Sequence, residues 1–266
     1  MRRLLGIAIA AALVAAGAWY YQQTGRNAQP PAAAKAPDGW LDALYSQNPR
    51  EVEAATEQVA ALGARAVPAI QATLHDPNSE AERLKAALKA CTIIGPAAAA
   101  AVPDVAAVLA EPGLTAEAAM ALSYMGPDAF PPLREALSSR DPIVRREALR
   151  SIGKLEERAG LELSSVLPLL LQGLKDRDES VRAVAATYLG IIHEGADTAV
   201  PALVAALADP DPEVRRATAA ALGSFEGAAA PALPALRKAT ADRNEDVARE
   251  AGLAIVNIQG QKAPSP

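Results

Sequence analysis

From about residue 40 to residue 260, apolar positions return at the three- and four-residue steps of an amphipathic helix. Pro, Asp and Gly cut these runs at intervals. Val200–Gly223, VPALVAALADPDPEVRRATAAALG, shows the pattern. Leu203, Ala206 and Leu207 line one face of a first helix, and Asp209-Pro210-Asp211-Pro212 breaks it. A second stripe follows at Ala217, Ala221 and Leu222 and closes on Gly223. Leu167–Gly190 and Phe130–Gly153 repeat the order. One proline per unit marks the register: Pro68, Pro103, Pro132, Pro168, Pro201 and Pro234. Each is predicted in the first turn of the first helix, where its missing N–H removes no bond. The Asp of the break is predicted to cap the second helix, and the closing Gly to take the left-handed turn beyond it.

A short helix of this kind cannot bury its stripe alone. Self-similarity at this period therefore means units that stack into a shared core. The expectation is an all-α fold, a right-handed α-solenoid of about seven helix-turn-helix repeats over residues 39–260. The pattern weakens in places. Thr115–Gly126 has no Val-Arg pair, and the last unit has Val247-Ala248-Arg249, with Val256 where Gly is expected. Trp40–Gly63 fits a unit with a truncated first helix. Lys154–Ser165 reads as an insert that loosens a join.

The recurring residues resemble those of the HEAT-repeat family, including its short bacterial, bilin-lyase-like branch. They are the Asp before the second helix (Asp141, Asp178, Asp211), the Val-Arg pair (Val144-Arg145, Val181-Arg182, Val214-Arg215) and the closing Ile/Leu-Gly. The resemblance implies that these Asp and Arg residues are structural, with Asp178 bonding Arg182 and Asp211 bonding Arg215.

Composition narrows the function. The chain is 51% hydrophobic, only 3% aromatic and carries a net charge of −5. Small aliphatic contacts must build the core, and the acidic balance argues against nucleic acid, which needs a basic face. Cys91 is the single cysteine, in the apolar run Leu84–Ile94, and reads as a buried hydrophobe. His75 is placed to meet the carbonyls that end its helix. His193-Glu194 stands as one His-Glu pair, whereas the iron-binding hydroxylases built on such repeats use several, and a di-iron site needs several ligands together. No catalytic residue, cofactor or metal is expected. Tyr124 and Tyr188, two before the closing Gly, read as core.

Met1-Arg2-Arg3 precedes an uncharged run to Trp19, so residues 1–21 form a signal anchor or a signal peptide. Ala16-Gly17-Ala18 suits cleavage, and Trp19-Tyr20-Tyr21 suits an interfacial belt. Either reading sends the repeats across the membrane. Residues 22–38 form a Pro/Ala-rich linker, and 261–266 a disordered tail. The expected localisation is the cell envelope, anchored with the solenoid on the periplasmic side or cleaved and soluble there.

Solenoids present extended surfaces lined by one set of helices. On the second helices, Arg146 and Arg216 lie one after the structural arginine and Arg150 and Thr187 one turn further along, and the four form a candidate partner-binding strip. The function expected is a non-enzymatic, protein-binding scaffold of the cell envelope. The alternatives are a lyase-like or other enzyme on the same repeats, and a purely structural subunit of an envelope complex.

Overall fold

The computed structural model describes residues 39–260. The segments read as anchor or signal peptide (1–21), linker (22–38) and tail (261–266) lie outside the described residues. All regular structure among the described residues is helical. The chain forms two compact units, one ending at Ala136 and one beginning at Leu137.

The first unit holds α1 (Gly39–Ala43), α2 (Pro49–Leu62), α3 (Val67–His75), α4 (Ala81–Ile94), α5 (Val102–Ala107), α6 (Thr115–Tyr124) and α7 (Phe130–Ala136). The second helices of successive pairs, α2, α4 and α6, stack on one another. Val59, Ile70, Leu88, Val105, Leu122 and Leu133 are buried among them. The truncated α1 closes one side through Trp40 and Leu41, both 1% exposed. Ala81–Ala107 is long and apolar enough to cross a membrane by length and composition. It is not one helix, however. Gly95 turns left-handed at φ 64°, a 3-10 segment follows to Ala101, and α5 begins afresh. Cys91 lies inside this packing, fully buried, and burial pushes its thiol up to about 12.

The second unit holds α8 (Pro142–Ala159), α9 (Leu163–Gly173), α10 (Glu179–Ile192), α11 (Ala196–Ala206), α12 (Pro212–Ser224), α13 (Leu233–Ala239) and α14 (Glu245–Ile258). The longer helices α8, α10, α12 and α14 pack side by side in that order. The shorter α9, α11 and α13 lie against them and bury Leu170, Leu203 and Leu236 completely.

Several sequence expectations change here. The closing glycines are not helix ends. Gly153, Gly190 and Gly223 all lie within helices. A Cβ on Gly190 would sit 2.6 Å from Cα of Ala221, and one on Gly223 would sit 3.1 Å from Cα of Ala254. On Gly153 it would collide with the Tyr188 ring, 2.1 Å from Cδ1. These glycines let neighbouring second helices touch backbone to backbone or backbone to ring. The left-handed turns fall later, at Gly160 (φ 60°) and His193 (φ 39°).

Pro68, Pro103 and Pro234 do sit in first turns. Pro168 and Pro201 instead lie inside α9 and α11, because there the turn before the proline is already α-helical rather than 3-10. Lys154–Ala159, read as a loosening insert, is the helical continuation of α8.

Candidate functional site

Two sets of side chains stand out in the second unit: a ladder in the loops, and an exposed face on the second helices. The ladder begins with the caps. Asp141 accepts from the N–H of Ile143 at 2.8 Å, and Asp178 accepts from the N–H of Ser180 at 3.0 Å. Asp211 accepts from the N–H groups of Glu213 and Val214 at 2.9 and 3.1 Å. Each thus satisfies a donor that the first turn leaves orphaned.

The arginines of the Val-Arg pairs meet these cap residues only through the backbone, each N–H donating to the cap carbonyl at 3.2 Å, and their guanidinium groups go elsewhere. Arg145 donates from Nε and Nη2 to Asp176 at 2.8 and 2.7 Å. Arg182 donates to Asp209 at 2.7 and 2.8 Å, and Arg215 to Asp242 at 2.8 and 2.9 Å. The pairings of Asp178 with Arg182 and of Asp211 with Arg215 are therefore replaced. Each guanidinium passes over its own cap and grips the next repeat. The physical reason is division of labour. The cap carboxylate is occupied by backbone N–H groups, while the aspartate two residues before a cap presents both oxygens to a planar fork. That aspartate also fixes its own loop. Asp176, Asp209 and Asp242 accept from the N–H groups of Asp178, Asp211 and Asn244, each at 2.9 Å.

Nη1 of each arginine holds the loop of its own repeat. Arg145 donates to the Ser139 carbonyl at 3.0 Å, Arg182 to that of Asp176 at 2.9 Å, and Arg215 to that of Asp209 at 2.9 Å. Burial opposes ionisation of Asp176 and Asp209, but the guanidinium and backbone donors outweigh it, so both carboxyls stay below the ordinary Asp range. Asp242 is held low first by Arg215. The ladder stops at α14, where Ala248 stands in place of the arginine; Arg249 pairs with Asp246 at the surface instead. Such bidentate, nearly water-free pairs fasten repeat to repeat and present nothing to a ligand.

The second set lies outward on the same helices. Arg146 Nε donates to Glu147 at 2.9 Å, and Arg150 Nη1 approaches the same carboxylate at 3.3 Å. Glu147 is buried, so one carboxylate out of water serves two half-exposed cations. Arg216 forks onto Glu213 at 2.9 and 2.6 Å. Thr187 is exposed, and its hydroxyl donates to the Ala183 carbonyl at 2.9 Å. The four candidate residues thus share one helical register on α8, α10 and α12, while Arg146, Arg150 and Arg216 already have local carboxylates. Reading the sequence unit by unit missed Lys154 and Arg158, which continue the Arg146–Arg150 row at four-residue steps on the extension of α8. Burial, then Arg158 and Arg150, hold the Lys154 ammonium below its usual range. Beside this row the Tyr188 ring packs against Gly153, and Ile191 is 46% exposed.

The histidines are placed otherwise than at a ligand site. His75 ends α3 and meets Asp104 at 2.7 Å through Nε2, instead of the helix-end carbonyls. Gln71 donates to the other oxygen of Asp104 at 2.7 Å. His193 folds back on the Ile191 carbonyl at 2.8 Å. Among the described residues no three His, Cys, Asp or Glu side chains are grouped to hold a metal ion.

Comparison with known proteins agrees with this geometry. The family model described as HEAT repeats matches residues 102–163 and 167–256. No curated protein matches the sequence. Among solved structures, Kap121p superposes with a TM-score of 0.59 at 15% identity, over 79% of this chain and 26% of that one. The complex of CpcE and CpcF of phycocyanin lyase from Nostoc sp. PCC7120 superposes with a TM-score of 0.50 at 24% identity, over 58% of this chain and 98% of that one. At such identities these likenesses speak for the fold alone. With stacked helix pairs, capped second helices and a family match over more than half of its length, the chain belongs to the HEAT-repeat family.

Proposed function

We propose that this protein is a non-catalytic scaffold that binds another protein through the outward face of α8, α10, α12 and α14. In this reading the N-terminal segment holds it in the cell envelope. One observation carries the binding half. The second helices carry a repeating register of positions that reach solvent: 146, 150, 183, 216 and 220 are half-buried, 187, 249 and 253 are exposed, and Leu253 among them is 43% exposed. The ladder and the close-packed glycines fasten repeat to repeat elsewhere, and this register is the part of the second helices that meets solvent. Arg146, Arg150, Thr187 and Arg216 are its first candidate contacts. The anchoring half is supported by the basic start and uncharged run of residues 1–21 and by the Pro/Ala-rich segment after it.

The test uses the full chain with a C-terminal tag, made in bacterial cells. The expected result is recovery with the envelope, accessibility to protease added outside the inner membrane, and discrete protein adducts after formaldehyde crosslinking. A chain found in the cytosol would overturn the anchoring half, and the lack of any adduct would overturn the binding half.

A further inference from the structure

The second helices show which positions meet the repeat that follows. Gly190 of α10 faces Ala221 of α12, and Gly223 of α12 faces Ala254 of α14. The helical stripe around these glycines is buried. It holds Ala186, Leu189 and Gly190 on α10, and Arg215, Ala219, Leu222 and Gly223 on α12. At the same positions α14 carries Ala248, Gly252, Ile255 and Val256, and all four are only half-buried. A Cβ on Gly252 would meet nothing within 4 Å. Among the described residues α14 packs on α12, α13 and the 3-10 segment Glu226–Ala232, and no helix follows it. The stripe that joins repeat to repeat on α10 and α12 therefore meets solvent on α14.

A stack of repeats stays soluble by ending on a polar face. In the first unit, α2 has such a face, with Glu53, Glu57 and Gln58 all exposed. On α14 the gripping arginine is replaced by Ala248 and the closing glycine by Val256, which leaves the stripe uncharged. Arg249 beside it is paired with Asp246 at 2.6 Å. An uncharged face of this kind, continuous with the packing between repeats, is a surface for another helix to cover.

We propose that this face is an interface between two copies of the chain, which meet through α14 about a two-fold axis. The order of the residues selects the occupant. Small Ala248 and Gly252 come first, and the larger Ile255 and Val256 follow one turn on. An antiparallel two-fold pairing sets Ala248 of each copy against Val256 of the other, small against large both ways. Head-to-tail pairing would press the same apolar face on α2, whose glutamates would lose water with no cation opposite. Residues 261–266, QKAPSP, hold no apolar stripe to cover it. Its size sets its strength. α14 has 14 residues and spans ~21 Å; with α13 beside it at ~10 Å per helix, the end face measures roughly 400 Å². Two copies then bury about 800 Å², less than the roughly 1,200 Å² at which stable interfaces begin. The dimer is a weak one that concentration builds. It leaves Leu253 and the outward register of the second helices open.

The test uses the full chain in dodecyl maltoside micelles. Its mean mass in sedimentation equilibrium should rise with concentration towards that of a dimer. Val256→Arg should weaken this association at least about tenfold, because a charge is buried there without a partner. The milder Val256→Ser is run alongside, with helical content checked by circular dichroism. Geometry is read by disulfide trapping, in which the buried Cys91 takes no part. A mixture of Ala248→Cys and Val256→Cys chains should give several-fold more disulfide dimer than either chain alone. Ala54→Cys on α2, mixed with Val256→Cys, should give no such gain. A monomer at every concentration, or association unchanged in both folded variants, would overturn the inference. So would a gain with Ala54→Cys, equal yields from mixed and single chains, or a Val256→Cys adduct in cells to a different protein in place of this chain.

Discussion

Arg182 and Asp209 meet through two parallel hydrogen bonds of 2.7 and 2.8 Å, and their side chains are only 13% and 10% exposed. Removing one partner strands the other charge out of water. Asp209→Ala should lower stability by about 2–4 kcal/mol, at or below the range for fully buried pairs because some water reaches this one. Urea unfolding at pH 7 measures it. The sign of the pH dependence follows from the depressed carboxyls. Their stabilising contribution is complete above the ordinary Asp value of about 3.9 and is lost as pH falls through the lower folded values. The gap between native protein and Asp209→Ala should therefore persist at pH 5 and shrink at pH 2–3. A gap that widened on acidification would contradict this account. The residue scale is also where the sequence was least legible. The caps at Asp141, Asp178 and Asp211 could be read from the break before each second helix. The gripping aspartates recur just as regularly two positions earlier, but their partner arginines lie in the previous repeat. Only the stacking distance between repeats says which carboxylate an arginine reaches.

At the scale of the helix, glycine separates two physical situations. Gly190 sits where α10 and α12 touch, and a methyl there would meet the Ala221 backbone at 2.6 Å. Gly252 lies in α14 with nothing within 4 Å of the same methyl. Helix propensity alone favours alanine over glycine by about 1 kcal/mol at both places. Gly252→Ala should therefore raise stability by up to about 1 kcal/mol. Gly190→Ala should lower it by about 1–3 kcal/mol, since a backbone cannot turn aside as a side chain can. Melting temperatures of the two variants should move in opposite directions. The period, the pairing of helices and their order were legible, because each depends on local spacing. The glycines were misread as helix ends, since a glycine that stops a helix and one that admits a neighbour look alike within one repeat. The continuation of α8 past Gly153 was hidden for the same reason, and with it Lys154 and Arg158.

At the scale of the molecule, the two units use different fasteners. The first carries single polar links, such as Gln71 and His75 on Asp104, and Arg83 near Asp42 at 3.3 Å. The second carries the regular ladder. In a stack where repeats contact only their neighbours, a broken rung weakens one interface more than the rest. Hydrogen exchange on Asp209→Ala should show protection falling most in α10 to α12, and least in the α13–α14 pair, which keeps its own rung to Arg215. Equal loss across the whole unit would mean that the rungs do not act as separate fasteners.

The ladder also has a direction. Each arginine leans on the carbonyls of its own loop through Nη1, so its other two donor nitrogens are already aimed when the next repeat arrives. In chain order the fork precedes the carboxylate it holds by one repeat, so each repeat presents an already oriented donor pair to the repeat that follows it. Among the described residues the series ends at α14, where Ala248 holds the arginine's position.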